Sequence, residues 1–425
     1  ANFFVDNLNL ALGSSFHLET IILPLAISFF TFQQIAYLVD AYRGETREYN
    51  FLHYCLFVTF FPQLIAGPIV HHREMLPQFA QDFIYRLNYR NLAVGVTIFT
   101  IGLFKKVVLA DGVAVFATPV FNAAEAGVSL SLFEAWGGGL AYTMQIYFDF
   151  SGYSDMAIGL GRMFGIRLPL NFHSPYKAVN IIEFWHRWHM TLSRFLRDYV
   201  YVPLGGNRKG QARRYVNLMT TMVLGGLWHG ARWTFLIWGT AHGLCLAVNH
   251  GWHAVRRALG QDPERSTRPG RIFSMLLTFL VVTVTFVIFR AESFAGAQRI
   301  VFTMFGGNGV VLPDGLSGVL GTAAPWLQAQ GIQFGEHVPN ELASWSKGFE
   351  YIVLLMIIAL VMPNTQQIMR DFEPAFDTYR GKIEIRSPAR PRFRISTGWA
   401  VFTGLAFVIA VGSLTRVSEF LYFQF

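Results

Sequence analysis

Charge and cysteine are both scarce in this sequence, and each shortage removes a class of protein. Only 14% of its 425 residues are Asp, Glu, Lys or Arg, against about 25% in an ordinary soluble domain, which is too little charge to cover a water-soluble surface. Disordered, coiled-coil and collagen-like chains are excluded by the same composition, since each needs high polarity or a fixed short repeat. The two cysteines, Cys55 and Cys245, lie far apart with no CxxC, so no disulfide framework can be read. Gly159-Leu160-Gly161 is not a GxGxxG fingerprint, the stretch from Gly205 to Gly210 is not a Walker loop, and neither GxSxG nor HExxH occurs. No repeat of fixed period is present, and the two halves do not pair as in many transporters.

What fills the chain is apolar: 53% hydrophobic residues and 16% aromatic, with 41 Phe. A helix needs roughly 20 apolar residues to cross a hydrocarbon core of about 30 Å. Uncharged windows fall at 20–39, 49–72, 215–231, 233–255, 272–289, 351–369 and 395–415, with shorter ones at 91–104 and 135–148. This predicts an all-α polytopic membrane protein, one continuous domain over 1–425 with about eight to ten embedded helices, several of them interrupted. Pro62, Gly67 and Pro68 break one window, and Pro169, Pro175 and Pro203 flank an amphipathic helix expected at 180–200. Irregular backbone at membrane depth is tolerated beside a watery cavity, so a cavity is expected.

The net charge of +8 does not point to nucleic acid, because the basic residues gather in short segments between apolar runs, where they anchor loops at an anionic lipid face. Segments 201–215, 251–271 and 370–394 read as cytoplasmic, and the acid-rich 291–348 as the opposite face or a half-buried surface layer. Windows 215–231 and 233–255 then form a hairpin bending near Trp228-His229-Gly230-Ala231-Arg232 and carrying His229 deep into the protein.

Ionisable groups inside apolar windows mark candidate sites, because plain anchoring does not require them. Around Trp185-His186-Arg187-Trp188-His189, helical spacing puts Trp185, Trp188 and His189 on one face, and an interfacial tryptophan-rich helix explains the residues as well as a site does. His186-x-x-His189 lacks a third ligand, so no metal is expected. The glycines flanking His229 admit a ligand or another backbone, leaving this histidine divided between a packing role and that of a neutral general base. Asp149 and Asp155 read as acceptors for buried donors such as Arg162 or Tyr153, with a proton relay as the alternative.

Together these segments resemble the membrane-bound O-acyltransferase family, in its bacterial branch that acylates cell-surface polymers such as alginate. The residues that carry the likeness are Leu23-Pro24-Leu25-Ala26 through Gln33 with Tyr42-Arg43-Gly44; Phe61-Pro62-Gln63 through Ile69; Asp149 through Asp155; Glu183-Phe184-Trp185-His186-Arg187-Trp188-His189-Met190 and on through Tyr201 to Arg208; Gly226-Leu227-Trp228-His229-Gly230; Pro363-Asn364-Thr365-Gln366-Gln367; and Phe420 through Phe425. The resemblance implies a helical bundle with re-entrant or interrupted helices around a central funnel, His229 as the catalytic histidine and His189 as a second one. Trp185, His186, Trp188, Trp228, Asp149 and Asp155 would line the substrate channel. It implies acetyl groups taken from a cytoplasmic donor, acetyl-CoA, with no resident cofactor, and passed across a bacterial inner membrane to periplasmic acetyltransferase partners that modify an exported polysaccharide. Arg208, Lys209, Arg213 and Arg214 would meet the donor phosphates or, equally, lipid. Family members carry further N-terminal membrane helices, so the chain is expected to lack the start of the fold. Cellulose, peptidoglycan and teichoic acid systems use related subunits, and a proton-coupled transporter relaying through Asp149, Asp155 and His229 is the alternative of another class.

Overall fold

A computed structural model describes residues 2–19, 27–46, 50–263, 265–312, 314–335, 338, 345–376 and 391–414. Residues Leu23 to Ala26 of the first motif, the middle of the basic segment 370–394 and the tail from Phe420 to Phe425 lie outside the described residues. The described chain is mostly helical. In order it forms α1 (Asn2–Leu12), α2 (Ile27–Tyr42), α3 (Phe51–Thr59), α4 (His72–Phe79), α5 (Tyr89–Phe104), α6 (Asp111–Glu125), α7 (Leu132–Met163), α8 (Ile181–Trp185), α9 (Met190–Leu196), α10 (Gly210–His229), α11 (Trp233–Ala258), α12 (Arg268–Arg290), α13 (Phe294–Met304), α14 (Asp314–Leu320), α15 (Ala323–Ala329), α16 (Trp345–Leu360), α17 (Thr365–Ile368) and α18 (Thr397–Gly412). A parallel pair of two-residue strands, β1 (Val311–Leu312) and β2 (Gln333–Phe334), is a small departure from the all-helical expectation.

The helix α7 organises the rest. Ser131 caps its start, its hydroxyl accepting from the Glu134 amide while the Glu134 carboxylate accepts from the Ser131 amide, a capping box that satisfies two otherwise orphaned donors. From there α7 runs through most of its 32 residues buried. The uncharged window 135–148 is therefore only part of it, since a search for windows free of charge stops at Asp149. Antiparallel to α7 runs α5, and glycines seven residues apart on each helix set the contact: Gly95 faces Gly159, and Gly102 faces Gly152. A Cβ on any of the four would lie 2.5 to 2.7 Å from the opposite helix's backbone, the close approach that small residues permit between membrane helices.

After α5 the helix widens into a π turn over Lys105–Ala110 before continuing as α6. That turn presents two lysines to α7: Lys105 Nζ lies 2.6 Å from Asp155, and Lys106 Nζ lies 2.5 Å from Asp149 and 2.7 Å from Asp111. The carboxylates thus find lysines, not the expected Arg162 and Tyr153. Those two donate instead to backbone carbonyls of Phe372 and Leu64. A charged side chain in an apolar interior survives by pairing, and the π turn supplies the partners.

Among the described residues, two helical stretches are long and apolar enough to cross a membrane, Tyr89–Glu125 and Arg268–Arg290, and α18 is a shorter apolar helix. The windows 49–72 and 351–369 are both interrupted, at Phe60 and at residues 361–364, so neither is a simple span. In 49–72 the broken chain is held from within, the Gln63 amide donating to the Phe57 carbonyl at 2.6 Å. Replacing Gly152 by Val forces a branched side chain into the α5 backbone. It is expected to lower stability by about 1–3 kcal/mol, read as a reduced thermal midpoint of the detergent-purified protein. An unchanged midpoint would mean that the two helices do not need this approach.

Candidate active site

The expected helix at 180–200 does not exist as one helix. Its parts are α8, a turn over His186–His189, and α9, with His189 in the left-handed region at φ 43°. Tertiary hydrogen bonds capture the backbone here. His173 N donates to the Arg187 carbonyl, Met190 N to the Asn171 carbonyl, and Thr191 N to Asn171 Oδ1. Because the turn redirects the chain, Trp185, Trp188 and His189 do not share one face. Trp185 packs on Trp238 and His242, with ring centroids 5.9 and 5.2 Å away. Trp188 lies among Phe172, Tyr176, Phe184 and Phe286. His186 is exposed on the turn, so it is not part of the buried channel lining that the resemblance implies for it.

His189 itself is 1% exposed. Its Nδ1 lies 3.2 Å from Asn171 Oδ1. That atom must be the amide oxygen, since it also accepts from the Thr191 backbone N–H, which can only donate. Nδ1 therefore carries the proton and Nε2 is left as a bare acceptor, with no hydrogen-bond partner among the described residues. Asn171 Nδ2 reaches Ser154 Oγ of α7 at 3.3 Å, so the longest helix fixes the asparagine that fixes the histidine.

His229 ends α10, and the chain turns through Gly230, Ala231 and Arg232 into α11. Gly226 and Gly239 bring the two helices together: a Cβ on Gly226 would lie 2.3 Å from the Phe235 carbonyl oxygen, and one on Gly239 2.4 Å from that of Met222. Gly230 is required by space as well, because a Cβ there would sit 2.6 Å from the Phe235 ring. The imidazole of His229 is ringed by Trp228, Phe289, Trp238 and Phe235, at centroid distances of 4.7, 5.0, 5.3 and 6.2 Å, and the residue as a whole is half-buried. Trp228 also stands 6.1 Å from His189, and the two histidines interact electrostatically. They belong to one chamber.

The 20 residues of α10 rise about 30 Å, a full hydrocarbon thickness. The tip of the hairpin exposes Arg232 and Trp233, three and four residues beyond His229. Beside the tip opens a cleft of about 570 Å³ lined by Phe3, Arg232, Trp233, Ile237 and Glu292 among others. Arg208, Lys209 and Arg213 are exposed at the other end of α10, and Arg214 donates to His250 there. The structure does not bring these four to the histidines. Nor do Asp149 and Asp155 show any hydrogen bond or ion pair to them among the described contacts, their partners being the lysines of the π turn and, for Asp155, Thr365 and Gln366.

One member was missed by the sequence analysis. His242 on α11 is fully buried and accepts from Trp185 Nε1 at its Nδ1, 3.3 Å away. Its Nε2 must then carry the proton, and it finds no partner. The signal was available, an ionisable residue inside the window 233–255, one turn beyond Trp238. Four polar atoms around the chamber therefore lack partners among the described residues: His189 Nε2, Trp228 Nε1, Trp238 Nε1 and His242 Nε2. Buried polar groups are nearly always satisfied, and each left bare costs about 1–3 kcal/mol. Such a set can donate to and accept from a polar group placed among the rings.

The profile of the membrane-bound O-acyltransferase family matches residues 41–288. Peptidoglycan O-acetyltransferase of Helicobacter pylori is 44% identical over 398 residues, covering 86% of this chain and 71% of that one. A probable alginate O-acetylase AlgI of Pseudomonas putida is 47% identical over 313 residues, covering 72% and 61%. Teichoic acid D-alanyltransferase of Bacillus subtilis is 28% identical over 279 residues, covering 64% and 69%. The chain thus spans less than two thirds of the alginate relative's length. Replacing Asn171 by Leu removes the acceptor shared by His189 and Thr191 and should lower stability by about 1–3 kcal/mol. Thermal unfolding of the purified protein checks this, and an unshifted midpoint would show that the His189 ring is oriented by something else.

Proposed function

The chain belongs to the membrane-bound O-acyltransferase family, and from that premise we propose that it moves acetyl groups from a cytoplasmic donor, acetyl-CoA, outward for O-acetylation of an exported polysaccharide such as alginate. It is a membrane protein and an O-acyltransferase. The acetyl group, the donor and the polysaccharide are our assignment. The observation that carries it is the chamber in which His229 and His189 share Trp228 and four polar atoms stand unpartnered.

In this reading a hydroxyl oxygen attacks the thioester carbonyl carbon while His229 takes the hydroxyl proton. The carbon–sulfur bond then breaks, and the proton passes to the leaving sulfur as free thiol. General-base assistance of this kind contributes about 10²- to 10⁴-fold. His189 presents an acceptor at Nε2, so its task is to orient the attacking hydroxyl and not to polarise the carbonyl. Charge developing on the carbonyl oxygen calls for donors, which the tryptophan Nε1–H groups supply. The packed rings limit water and hence wasteful hydrolysis.

The polarity of the hairpin suits outward transfer. Its basic end, with Arg208, Lys209 and Arg213, faces the cytoplasm of a bacterial inner membrane and offers positive charge to the donor phosphates. Its tip, with the cleft at Arg232 and Glu292, faces the periplasm and the acetyltransferase partners. A multi-pass arrangement follows from the same assignment. The proton-relay alternative has less support, since the partners shown for Asp149 and Asp155 are lysines and side chains other than His229. Labelled acetyl-CoA given to membranes containing this protein and its partners should yield thiol and labelled polymer. His229→Ala should cut both at least 100-fold while the protein remains inserted and folded. Full activity in that variant, or label that crosses the membrane still attached to its donor, would overturn the proposal.

A further inference from the structure

A second cluster of ligating side chains lies apart from the chamber. Asp40 stands in the last turn of α2, His71 is the N-cap residue of α4 and His72 opens that helix. His71 Nε2 lies 2.8 Å and His72 Nδ1 3.9 Å from the same oxygen, Asp40 Oδ2. One ligand atom from each residue can be taken so that all lie within 4.8 Å of one another. A first-row divalent ion with bonds of about 2.0–2.2 Å holds its ligands roughly 3–4 Å apart, so small side-chain rotations complete the set. From this geometry we propose that Asp40, His71 and His72 form a binding site for a divalent transition-metal ion of the zinc type.

The independent observation is the state of His72. It is 3% exposed, yet neither ring nitrogen has a hydrogen-bond partner among the described residues, and Nδ1 is the atom turned toward Asp40. A buried imidazole in that state has a nitrogen lone pair available for a cation. Asp40 is also 3% exposed and sits at the C-terminal end of α2, where the helix dipole is negative and favours a positive charge. Tyr199 completes the surroundings, its hydroxyl 3.0 Å from Asp40 Oδ2 and 2.9 Å from His71 Nε2, the outer hydrogen bonding that fixes ligand orientation in metal sites. Arg73 is the competing cation, but it is half exposed, pairs with Glu45 and lies 3.9 Å from Asp40.

Binding asks for one exchange. His71 Nδ1 now accepts the Arg73 amide at 3.3 Å, so Nε2 bears the ring proton. As a ligand Nε2 gives up that proton and Nδ1 takes one, and the Arg73 amide, at an exposed position, turns to water. The ion borrows nitrogen and oxygen donors that Zn²⁺ accepts, and it would clip α2, α4 and the π turn over Arg197–Tyr201 that carries Tyr199. Asp40 and the His71-His72 pair are distant in the chain and belong to no ligand motif, so only the fold brings them together.

The test is Zn²⁺ titration of the full chain in detergent after chelator stripping, followed by competition with a fluorescent chelator. One equivalent should bind with micromolar affinity or better. His72→Ala and Asp40→Asn should each weaken it at least tenfold, while His17→Ala, at an exposed histidine elsewhere, leaves it unchanged. Absence of a stoichiometric site in the folded wild-type protein overturns the proposal, as does undiminished binding in both variants. Should the variants aggregate, the wild-type protein decides. Zn²⁺ should slow carbethoxylation of His71, read by mass spectrometry, at least tenfold, and an unchanged rate overturns the site.

Discussion

Where Gly226 of α10 meets Gly239 of α11, the helices run so close that a single added carbon on either would strike the other's backbone carbonyl at 2.3 to 2.4 Å, and the position of His229 follows from that contact. Apolar surroundings give helices little reason to associate beyond packing and hydrogen bonds, so backbone proximity is the main source of adhesion. The same device joins α5 to α7 through Gly95, Gly102, Gly152 and Gly159. The α5–α7 contacts hold the helix that carries Ser154 and Asp149, and the α10–α11 contact sets the hairpin that carries His229 and Trp228.

A second constraint shapes the interior: charged groups removed from water need partners, and those of α7 find them on other segments. Lysines of the π turn meet Asp149 and Asp155, and Asn171 serves His189, Thr191 and Ser154 together. The bare nitrogens on two histidines and two tryptophans in one aromatic neighbourhood are, in the proposed function, places for substrate atoms. Electrostatic stabilisation in a water-poor site depends on donors fixed in advance of the reaction, and ring packing on every side fixes these.

The relatives agree on the class of chemistry and differ in what receives the acyl group. A peptidoglycan O-acetyltransferase and a probable alginate O-acetylase are 44% and 47% identical to this chain, and a teichoic acid D-alanyltransferase 28%. In the proposed function the chamber would serve acyl transfer in general, and acceptor choice would fall to the cleft beside Arg232 and Glu292.

Much of the fold was legible in composition and spacing. Sparse charge and long apolar runs determine the helical class, the basic segments and Gly230 place the bend between α10 and α11, and His229 and His189 stand out as histidines among tryptophans and glycines. Local pattern failed wherever partners distant in sequence decide the backbone. Helical periodicity through 180–200 is sound as a local preference, but Asn171 and His173 capture the chain at Arg187, Met190 and Thr191, breaking the helix and turning His186 outward. The π turn at Lys105–Ala110 leaves no trace in hydropathy, so the donors for Asp149 and Asp155 could not be named. The proton positions on His189 and His242 depend on Asn171 and Trp185, residues placed by other helices. Periodicity and composition report what each segment prefers alone, whereas pairing in an interior without water is settled only when segments meet.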